Sequence, residues 1–464
     1  MVTLPEQLQQ RLRQFGQDHV LGWWHKLAEK DRQELLEQLQ HLDQEELARL
    51  YGQREHTYSL PAAEQIQPIS VLREADIKPE TRRLGEESLR RGEVAVLLVA
   101  GGQGSRLGFD HPKGKFPVGP VTNKSLFQIH AEKVLAVSRR HGKPLPFLVM
   151  TSPATDEETR AFFAEHRYYG LDPREVFFFV QGTMPALDLA TGKLLRDQPG
   201  HLFTSPNGHG GTLLALAESG LLEKLQRRGI RTIFYFQVDN PLVKVADPAF
   251  LGHHLAVRSE ASSKVIAKEG PTDKLGNLVL VDGRCTIIEY SDLPEDLARQ
   301  TDTEGRLRFR WGSPAIHLFD VAFLGRVTQG EARIPFHVAR KKVPYLDEQG
   351  NVVQPEKENA LKFEMFIFDA LPRADRWAVV ETSRREEFEP LKNETGRESP
   401  DSVRHAISTL AGDWLDKAGV QVPRRADGTP AVPLEISPLF ALEPADLTGK
   451  VDRHRKITGP TYLE

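Results

Sequence analysis

Apolar strand-like runs alternate with helix-like stretches through most of this chain, and the alternation constrains the fold more than any other feature. The run VAVLLVA at 94–100 is apolar at every position, which is typical of a strand buried on both faces of a parallel sheet. Helix-like stretches include 125–139 and 212–228. Four further strand-like runs lie at 146–150, 175–180, 232–238 and 377–382. The pattern predicts an α/β domain with a mostly parallel sheet.

The two ends of the chain differ from the middle in their residue patterns. Between Asp31 and Leu50 the leucines recur near helical spacing. A carboxylate at Asp31 and another at Asp43, each followed by Glu three residues on, predict two helix starts. The last part is richer in Pro, as in GTPAVPLEISPLF at 428–440, and indicates a small β-containing piece. We therefore predict three parts: a helical region at 1–90, an α/β domain at 91–390 and a carboxy-terminal domain at 391–464.

Composition and charge narrow the class of protein. The 464 residues carry 61 Lys and Arg against 65 Asp and Glu, a net charge of −4, so no nucleic-acid partner is expected. Cys285 is the only cysteine, which excludes an internal disulfide, a Cys-rich zinc site and a CxxC redox centre. The run at 94–100 is far shorter than the roughly 20 residues that span a bilayer. The first residues lack the apolar core of a secretion signal, so we expect a cytoplasmic enzyme without a membrane partner.

A glycine-rich loop, GGQGSRLGFDHPKGKFP at 101–117, follows the first strand directly. Without Cβ atoms the backbone can approach phosphate closely, and its N–H groups can point at the anion. Arg106 and Lys113 add positive charge to the same loop. The loop predicts an anion site; the structural alternative is a tight glycine turn carrying two solvated cations.

Two common phosphate motifs are absent from this loop. The dinucleotide fingerprint GxGxxG fails because Leu107 stands at its sixth position. The P-loop pattern GxxxxGK[ST] fails because Phe116 follows Gly114 and Lys115, and no Gly lies five residues before Gly114. What the loop contains instead is GGxGxRLG followed by PKG.

The stretch LLVAGGQGSRLGFDHPKGKFPVG resembles the UTP-dependent sugar-1-phosphate uridylyltransferases (the UDPGP type 1 family), and is most similar to their eukaryotic-type UDP-N-acetylhexosamine pyrophosphorylase branch. The resemblance keeps the family's order over nearly the whole chain. Its further blocks are SLFQIHAEKV (125–134), VQGTMPAL (180–187), SPNGHGGTLLAL (205–216), FQVDNPLVKVADPAFLG (236–252), IIEYSDL (287–293), FHVARKKVPYLDEQGN (336–351), LKFEMFIFD (361–369), FEPLKN (388–393) and EISPL (435–439).

The resemblance implies a fold and a reaction. The fold is a doubly wound, mixed, mostly parallel sheet of the nucleotide-diphospho-sugar transferase (GT-A-like) type. The reaction joins UTP to a sugar 1-phosphate by in-line attack on the α-phosphorus and releases pyrophosphate. Catalysis of this kind is mostly positioning and electrostatic stabilisation, because two phosphate-bearing anions must meet.

The resemblance also assigns residues to the nucleotide and its phosphates. Those implied to contact the nucleotide are Gly101, Gly102, Gln181 and Gly208. Those implied to be catalytic cations are Arg106, Lys113 and Lys392. A Gln suits a base because its amide offers both a donor and an acceptor to one edge. Read alone, Gln181 and Lys392 would be interpreted as solvated surface side chains.

Asp239 follows the strand-like run at 232–238. Ligands of open α/β sheets bind at the carboxyl ends of strands, and the resemblance assigns this carboxylate to Mg²⁺. Magnesium prefers oxygen ligands and keeps waters and substrate phosphates in its shell. The alternative for an Asp after a strand is a turn former or a helix cap.

The sugar is implied to contact a third set of residues: His209, Gly276, Glu289, Tyr290, Ser313 and Lys362. Here the sequence departs from the family. The family's PDGNGG is PNGHGG, with Asn207 and His209 at changed positions, and its GNIANH is GSPAIH, with Ser313 and Ile316 in place of the two Asn. A site that bonds one substituent rejects sugars that lack it, so the preference among sugars stays open.

Three alternatives remain beside UDP-N-acetylglucosamine synthesis. One is a UTP–glucose-1-phosphate uridylyltransferase or a broad UDP-sugar pyrophosphorylase. Another is a silent UDP-sugar sensor, which would not need the full set of Lys113, Asp239, Lys362 and Lys392. The third, an NAD-dependent oxidoreductase, is disfavoured by the broken fingerprint.

Overall fold

The computed structural model describes residues 2–55, 60–73, 76 and 78–464. Its helices begin where the sequence supplies capping groups, as at Ser125, whose side chain accepts from the N–H of Gln128. The α-helices are α1 Glu6–Gln14, α2 Glu29–Gln40, α3 Gln44–Gly52, α4 Pro79–Arg91, α5 Leu126–His141, α6 Asp156–Glu165, α7 Gly211–Glu218, α8 Leu221–Arg227, α9 Pro248–Ala256, α10 Glu295–Ala298, α11 Val321–Val327, α12 Arg384–Glu387 and α13 Pro400–Lys417.

The strands form one large sheet and several small ones. They are β1 Ile66–Pro68, β2 Val94–Val99, β3 Gln103–Gly104, β4 Phe109–Pro112, β5 Phe147–Thr151, β6 Val176–Val180, β7 Thr183–Pro185, β8 Leu187–Asp188, β9 Arg196–Gln198, β10 His201–Leu202, β11 Thr204–Pro206, β12 Thr232–Gln237, β13 Ala261–Ala267, β14 Asn277–Val281, β15 Arg284–Ile288, β16 Trp311–Gly312, β17 His317–Asp320, β18 His337–Lys341, β19 Tyr345–Leu346, β20 Val352–Val353, β21 Ala360–Glu364, β22 Trp377–Glu381, β23 Leu434–Ile436 and β24 Thr461–Leu463.

The large sheet is mixed and has eleven strands. Its order is β1-β14-β16-β13-β17-β12-β2-β5-β6, with β15 beside β14 and β22 beside β13. Four neighbours, β12, β2, β5 and β6, are parallel, and β17 is antiparallel to β12. The predicted α/β class is confirmed. The predicted strand runs are confirmed as β2, β5, β6, β12 and β22.

The parallel strands place their carboxyl ends at one edge of the sheet. In the register, Val99 of β2 is opposite Gln237 of β12 and Met150 of β5. Thr151 of β5 is opposite Val180 of β6. The loops after β12, β2, β5 and β6 therefore leave the sheet at the same edge.

Two compact units are distinguished by their internal contacts, and each consists of three chain segments. The first comprises Met1–Leu60, Gly182–Thr212 and Ile334–Asp369. The second, which contains the large sheet, comprises Pro61–Gln181, Leu213–Arg333 and Ala370–Glu464. The three-part division predicted from chain order stays a prediction.

Each unit has its own apolar core. In the first, leucines of α1, α2 and α3 pack with Leu187, Leu361 and Phe363. In the second, the buried side chains of β2, α5, β5 and β12 form the main cluster. A satellite cluster holds α13 and the parallel pair β23 and β24.

Three local predictions need correction or extension. Asp31 is not a helix cap: α2 begins earlier, after Ala28, and Asp31 lies in its first turn, where a carboxylate also favours the helix dipole. Asp43 is confirmed as a cap, accepting from the N–H of Glu46 at 3.0 Å. The stretch 212–228 is two helices, because Gly220 has a φ of 72° and ends the first. The carboxy-terminal piece contains the 18-residue helix α13 as well as strands. The part of the predicted helical region that falls on 1, 56–59, 74, 75 and 77 lies outside the described residues.

Cys285 lies on β15 and is buried. Burial raises the pKa of its thiol to about 12. Within the residues that the structure describes, no helix is long and apolar enough to cross a membrane.

Candidate active site

The glycine loop and Gln181 meet at the shared edge of the parallel strands. Gln181 directly follows β6, is 7% exposed, and continues the ladder by donating its N–H to the oxygen of Thr151 at 2.8 Å. A Cβ at Gly101 would lie 3.1 Å from Oε1 of Gln181. The missing side chain at 101 therefore lets the carboxamide lie directly against the loop backbone.

The loop folds back on itself through its main chain. The N–H of Lys113 donates to the oxygen of Gly102 at 3.0 Å, so the predicted catalytic lysine is fixed next to the predicted phosphate-binding glycine. A Cβ at Gly102 would meet no described protein atom within 4 Å. Arg106 lies in the 3-10 turn Ser105–Leu107 and its side chain is exposed.

Asp239 and Lys113 are joined through a third residue, Leu391. Val238 extends the ladder by donating to the oxygen of Val99 at 3.0 Å, and half-buried Asp239 follows it. The N–H of Leu391 donates to the oxygen of Asp239 at 2.8 Å. The oxygen of Leu391 accepts from Nζ of Lys113 at 3.3 Å.

Lys392 follows this bridge and faces the predicted sugar residues. Its Nζ lies 3.5 Å from Oε1 of Glu398, and its charge also acts on Glu289. Burial raises the pKa of the Glu289 carboxyl, the carboxylate of Asp292 raises that pKa further, and Lys392 opposes both. Lys392 thus connects the phosphate residues with the sugar residues electrostatically.

Gly276, Glu289 and Ser313 are brought together by strand pairing. Asn277 of β14 is opposite both Ile288 and Gly312, so the residues that flank these strands are neighbours. The N–H of Ser313 donates to the oxygen of Gly276 at 3.0 Å. A Cβ at Gly276 would lie 3.6 Å from Oε1 of Glu289.

Two other positions near these strands differ in exposure. Tyr290 is 46% exposed, so nearly half of the residue's surface is open to solvent. Ile316, the second departure from the family pattern, is fully buried in the main core. The replacement at 316 therefore adds to the core. Of the two replacements in GSPAIH, Ser313 is the one that can contact a sugar.

Gly208, His209 and Lys362 lie in the first unit. Gly208 has a φ of 80°, and a Cβ there would lie 2.4 Å from the oxygen of Met365, so only glycine fits this turn. Lys362 of β21 has its Nζ 5.0 Å from the ring centroid of Phe203. Burial lowers the pKa of Lys362, and Glu364 opposes this.

His209 is neutral and has a fixed tautomer. Its Nδ1 accepts from the N–H of Ile367 at 3.1 Å, which requires that the proton of the neutral ring be on Nε2. Burial lowers the pKa of His209 to about 4. The ring packs near Phe366 and Phe368, with centroids 5.5 and 5.8 Å away.

Most predicted residues of the second unit therefore form one connected set. The residues so connected are Gly101, Gly102, Lys113, Gln181, Asp239, Gly276, Glu289, Ser313 and Lys392. Arg106 and Tyr290 stand apart because their side chains are exposed, although their chain neighbours belong to the set.

Several supporting residues were missed by the sequence analysis. His130 and Lys133 of α5 hold the turn after β12: Nε2 of His130 lies 2.9 Å from the oxygen of Val238, and Nζ of Lys133 donates to the oxygen of Val243 at 2.8 Å. Burial lowers the pKa of Lys133 to about 7. Two polar residues three apart on the core-facing side of a helix were the signal for them.

A buried ion cluster lies behind the same turn. Nζ of Lys264 lies 2.7 Å from Oε2 of Glu387 and 2.8 Å from Oδ2 of Asp247. Lys264 is 2% exposed and Glu387 is fully buried. Glu387 also accepts from the hydroxyl of Thr382 at 2.7 Å and the N–H of Lys244 at 3.0 Å. No sequence motif joins these residues, since they come from three separate parts of the chain: 244–247, 264 and 382–387.

The carboxylate at Asp239 suits a metal ion whose other ligands are water molecules and substrate oxygens. In the described part of the chain no cluster of three or more His, Cys, Asp or Glu side chains is arranged to hold a metal. A single half-buried carboxylate at Asp239 suits Mg²⁺, which retains waters and takes phosphate oxygens, and does not suit a closed four-ligand zinc site.

Comparisons with known proteins show the family of this chain. Residues 45–397 match the family described as UTP–glucose-1-phosphate uridylyltransferase. The chain belongs to this family. It is 37% identical to the human UDP-N-acetylhexosamine pyrophosphorylase-like protein 1, over 93% of this chain and 92% of that protein. It is 35% identical to the Saccharomyces cerevisiae UDP-N-acetylglucosamine pyrophosphorylase, over 88% and 90%.

One solved structure is similar to this chain over its whole length. The uridine diphosphate N-acetylglucosamine pyrophosphorylase of Trypanosoma brucei, solved with an inhibitor, superposes with a TM-score of 0.86 at 25% identity. The match covers 100% of this chain and 99% of that one. The resemblance described from the sequence is therefore confirmed.

Proposed function

We propose that the protein is a UTP:sugar-1-phosphate uridylyltransferase whose first acceptor is N-acetylglucosamine 1-phosphate. The observation that carries the proposal is the connected set at the carboxyl edge of the sheet, in which Gln181, Lys113 and Asp239 are tied together. The relatives named for UDP-N-acetylglucosamine and UDP-N-acetylhexosamine favour this acceptor over glucose 1-phosphate.

In the proposed reaction a phosphate oxygen of the sugar 1-phosphate attacks the α-phosphorus of UTP in line. The new O–P bond forms as the bond from the α-phosphorus to the α,β-bridging oxygen breaks, and pyrophosphate carries away the electron pair. Phosphoryl transfer of this kind depends on positioning and charge stabilisation. Lys113 stabilises the leaving pyrophosphate, and Arg106 lies beside the β- and γ-phosphates. Lys392 stabilises the sugar phosphate and the α-phosphate, which become joined in the product.

Different residues are assigned to the base and to the sugar. The carboxamide of Gln181 reads uracil, with Gly101, Gly102 and Gly208 giving close main-chain approach. The carboxylate of Glu289 accepts from sugar hydroxyls, beside Gly276, Tyr290 and Ser313. His209 offers the Nε2–H donor and Lys362 a second cation for the sugar phosphate.

Asp239 is the residue that would hold Mg²⁺. When bound, the ion would neutralise charge on the phosphates of both reactants. Asp239 is oriented for this by the ladder bond of Val238 and by its own main-chain bond from Leu391. A cytoplasmic location is also part of the proposal.

One assay tests the proposal: pyrophosphate release from UTP with a panel of sugar 1-phosphates, with and without Mg²⁺. We expect the highest kcat/KM with N-acetylglucosamine 1-phosphate and no turnover after chelation. Higher kcat/KM with glucose 1-phosphate would establish the alternative acceptor. Tight UTP binding without pyrophosphate from any sugar would establish a sensor instead.

The base assignment is tested by nucleotide competition. Gln181→Ala is expected to relax the preference for UTP over other nucleoside triphosphates, because the paired donor and acceptor are lost together. Glu158→Gln, a change on α6 outside the connected set, is the control. Unchanged discrimination in Gln181→Ala contradicts the assignment.

A further inference from the structure

Asn240, the residue after Asp239, is almost fully buried at 2% exposed. The carboxamide makes three hydrogen bonds to residues that the structure describes, each to a main-chain group. Nδ2 donates to the oxygen of Glu387 at 2.9 Å, and Oδ1 accepts from the N–H of Glu389 at 3.2 Å. Oδ1 also accepts from the N–H of Leu242 at 3.3 Å.

These bonds attach two segments that are nearly 150 residues apart in the chain. One segment is the turn after β12, which carries Asp239. The other is 387–392, which begins at α12 and ends with Lys392. A further hydrogen bond between the same two segments runs from the N–H of Leu391 to the main-chain oxygen of Asp239.

The same segment is held from its other side by Glu387. That carboxylate lies in the buried ion cluster with Lys264, so the start of segment 387–392 is fixed by its side chain and its main chain together. Further along, the hydroxyl of Ser402 donates to Oε1 of Glu389 at 2.7 Å, and the N–H of Lys392 donates to the oxygen of Glu398 at 2.7 Å. The carboxamide of Asn240 adds the bonds that tie the first half of the segment to the end of β12.

We propose that Asn240 is a positioning residue for Lys392: its carboxamide fixes segment 387–392 against the end of β12 and so sets where the Lys392 ammonium lies relative to the Asp239 carboxylate. The inference rests on the proposed uridylyl transfer. Asn240 touches neither reactant. It acts through Lys392, the last residue of the segment that it holds.

Kinetics of Asn240→Ala provide the first test. We expect kcat to fall by about 10²-fold, the loss that a displacement of roughly 1 Å produces in a positioned reaction. The KM for UTP should stay within about threefold, because the base and loop contacts of Gln181 and Gly101 are untouched. Ser138→Ala is the matched control: this hydroxyl also ties two main-chain groups, the oxygen of Val134 and the N–H of Leu145.

A double-variant cycle separates positioning from general loosening. If Asn240 acts through Lys392, Asn240→Ala causes no further loss of kcat in a Lys392→Ala background. Additive losses of kcat would overturn the inference. Asn240→Asp keeps the acceptor for Glu389 but loses the donor to Glu387, and an intermediate kcat is expected.

Hydrogen exchange provides a measurement that does not require turnover. Asn240→Ala should speed amide exchange at Glu389 and Leu391 while Ser138→Ala leaves both unchanged. Unchanged protection at these amides overturns the inference whether or not the wild type transfers uridylyl groups. If the wild type releases no pyrophosphate, the proposed function fails and exchange alone decides the role of Asn240.

Discussion

Nζ of Lys113 donates to the main-chain oxygen of Leu391 across 3.3 Å. Leu391 also donates its N–H to the main-chain oxygen of Asp239, so one residue is bonded both to a cation of the glycine loop and to the backbone at a neighbouring strand end. Because Leu391 uses main-chain atoms for both bonds, the backbone fold sets where the Lys113 ammonium lies relative to the main chain of Asp239.

Removing the Lys113 ammonium is expected to slow pyrophosphate formation. Lys113→Ala should lower kcat by about 10²–10³-fold, the usual effect of losing one charge-stabilising donor. Lys115→Ala is the control, since Lys115 pairs with Glu158 and lies 5.1 Å from the ring centroid of Phe162. Steady-state pyrophosphate release measures both. Near-normal turnover of Lys113→Ala, or equal losses in the two variants, contradicts the assignment.

Gly102→Ala should weaken nucleotide binding without weakening the fold. The added methyl meets no described protein atom within 4 Å, so Tm should not change, while a phosphate approaching the backbone would be obstructed. We expect the KM for UTP to rise about tenfold, equivalent to ~1.4 kcal/mol. Gly52→Ala, where a Cβ is also unopposed, should change neither quantity. An unaltered KM in Gly102→Ala would show that the nucleotide does not pass this residue.

The raised pKa of Glu289 predicts loss of sugar binding on the acid side. Since the ionised carboxylate accepts the hydroxyls, kcat/KM for the sugar 1-phosphate should fall as pH drops through a value above the ordinary Glu pKa. Asp292→Asn removes a charge that raises this pKa, so the acid limb should move to lower pH. The substrate's phosphate titrates identically in every assay, so the shift between variants reports the protein. An acid limb that does not move in Asp292→Asn rules out Glu289 as its source.

His209 should contribute to acid sensitivity of the fold and not to the pH profile of activity. Its pKa of about 4 lies below the ordinary 6.5, so the unfolded chain binds the proton more tightly between these values. The stability contributed is complete above pH 6.5 and is lost as pH falls to 4, by about 1–3 kcal/mol. Urea unfolding of His209→Asn should therefore show a shallower acid slope, while the dependence of kcat on pH keeps the same shape as in the wild type between pH 6 and 8. Equal slopes would contradict the neutral assignment.

Lys264→Met should destabilise the second unit strongly. It leaves the carboxylates of Glu387 and Asp247 buried without their cation, a change that costs about 3–5 kcal/mol. Lys244→Met, which removes a half-exposed pair with Glu386, should cost no more than about 1 kcal/mol. Denaturant midpoints of the two variants give the comparison. A midpoint for Lys264→Met as high as that of Lys244→Met would show that the cluster is not needed for stability.

The residues that directly follow strands could be predicted from the sequence. The glycine loop and Asp239 each come immediately after an apolar run, and ligands bind at the carboxyl ends of such strands, so the local pattern predicted both, whereas Gln181 was assigned from the family resemblance. The helix starting at Ser125 was also predictable because its cap is local.

The supporting contacts could not be predicted in this way. Asn240 and Glu389 pair across almost 150 residues, and the bonds of Leu391 use main-chain atoms that every residue has. The helix cap at Asp31 was wrong because first-turn and cap positions favour the same carboxylates. Gly220 was overlooked because a single glycine in an otherwise helical pattern does not by itself reveal a left-handed backbone.

The first unit is assembled from three separated stretches of chain, and this sets the order in which it can form on the ribosome. The leucine stripes of α1, α2 and α3 find Leu361 and Phe363 only after some 300 more residues have been synthesised, which takes roughly 15–60 s at typical translation rates. During that interval the amino-terminal helices can pack against Leu187, Leu194 and Leu202 of the same cluster, but the part of their apolar surface that Leu361 and Phe363 cover stays exposed.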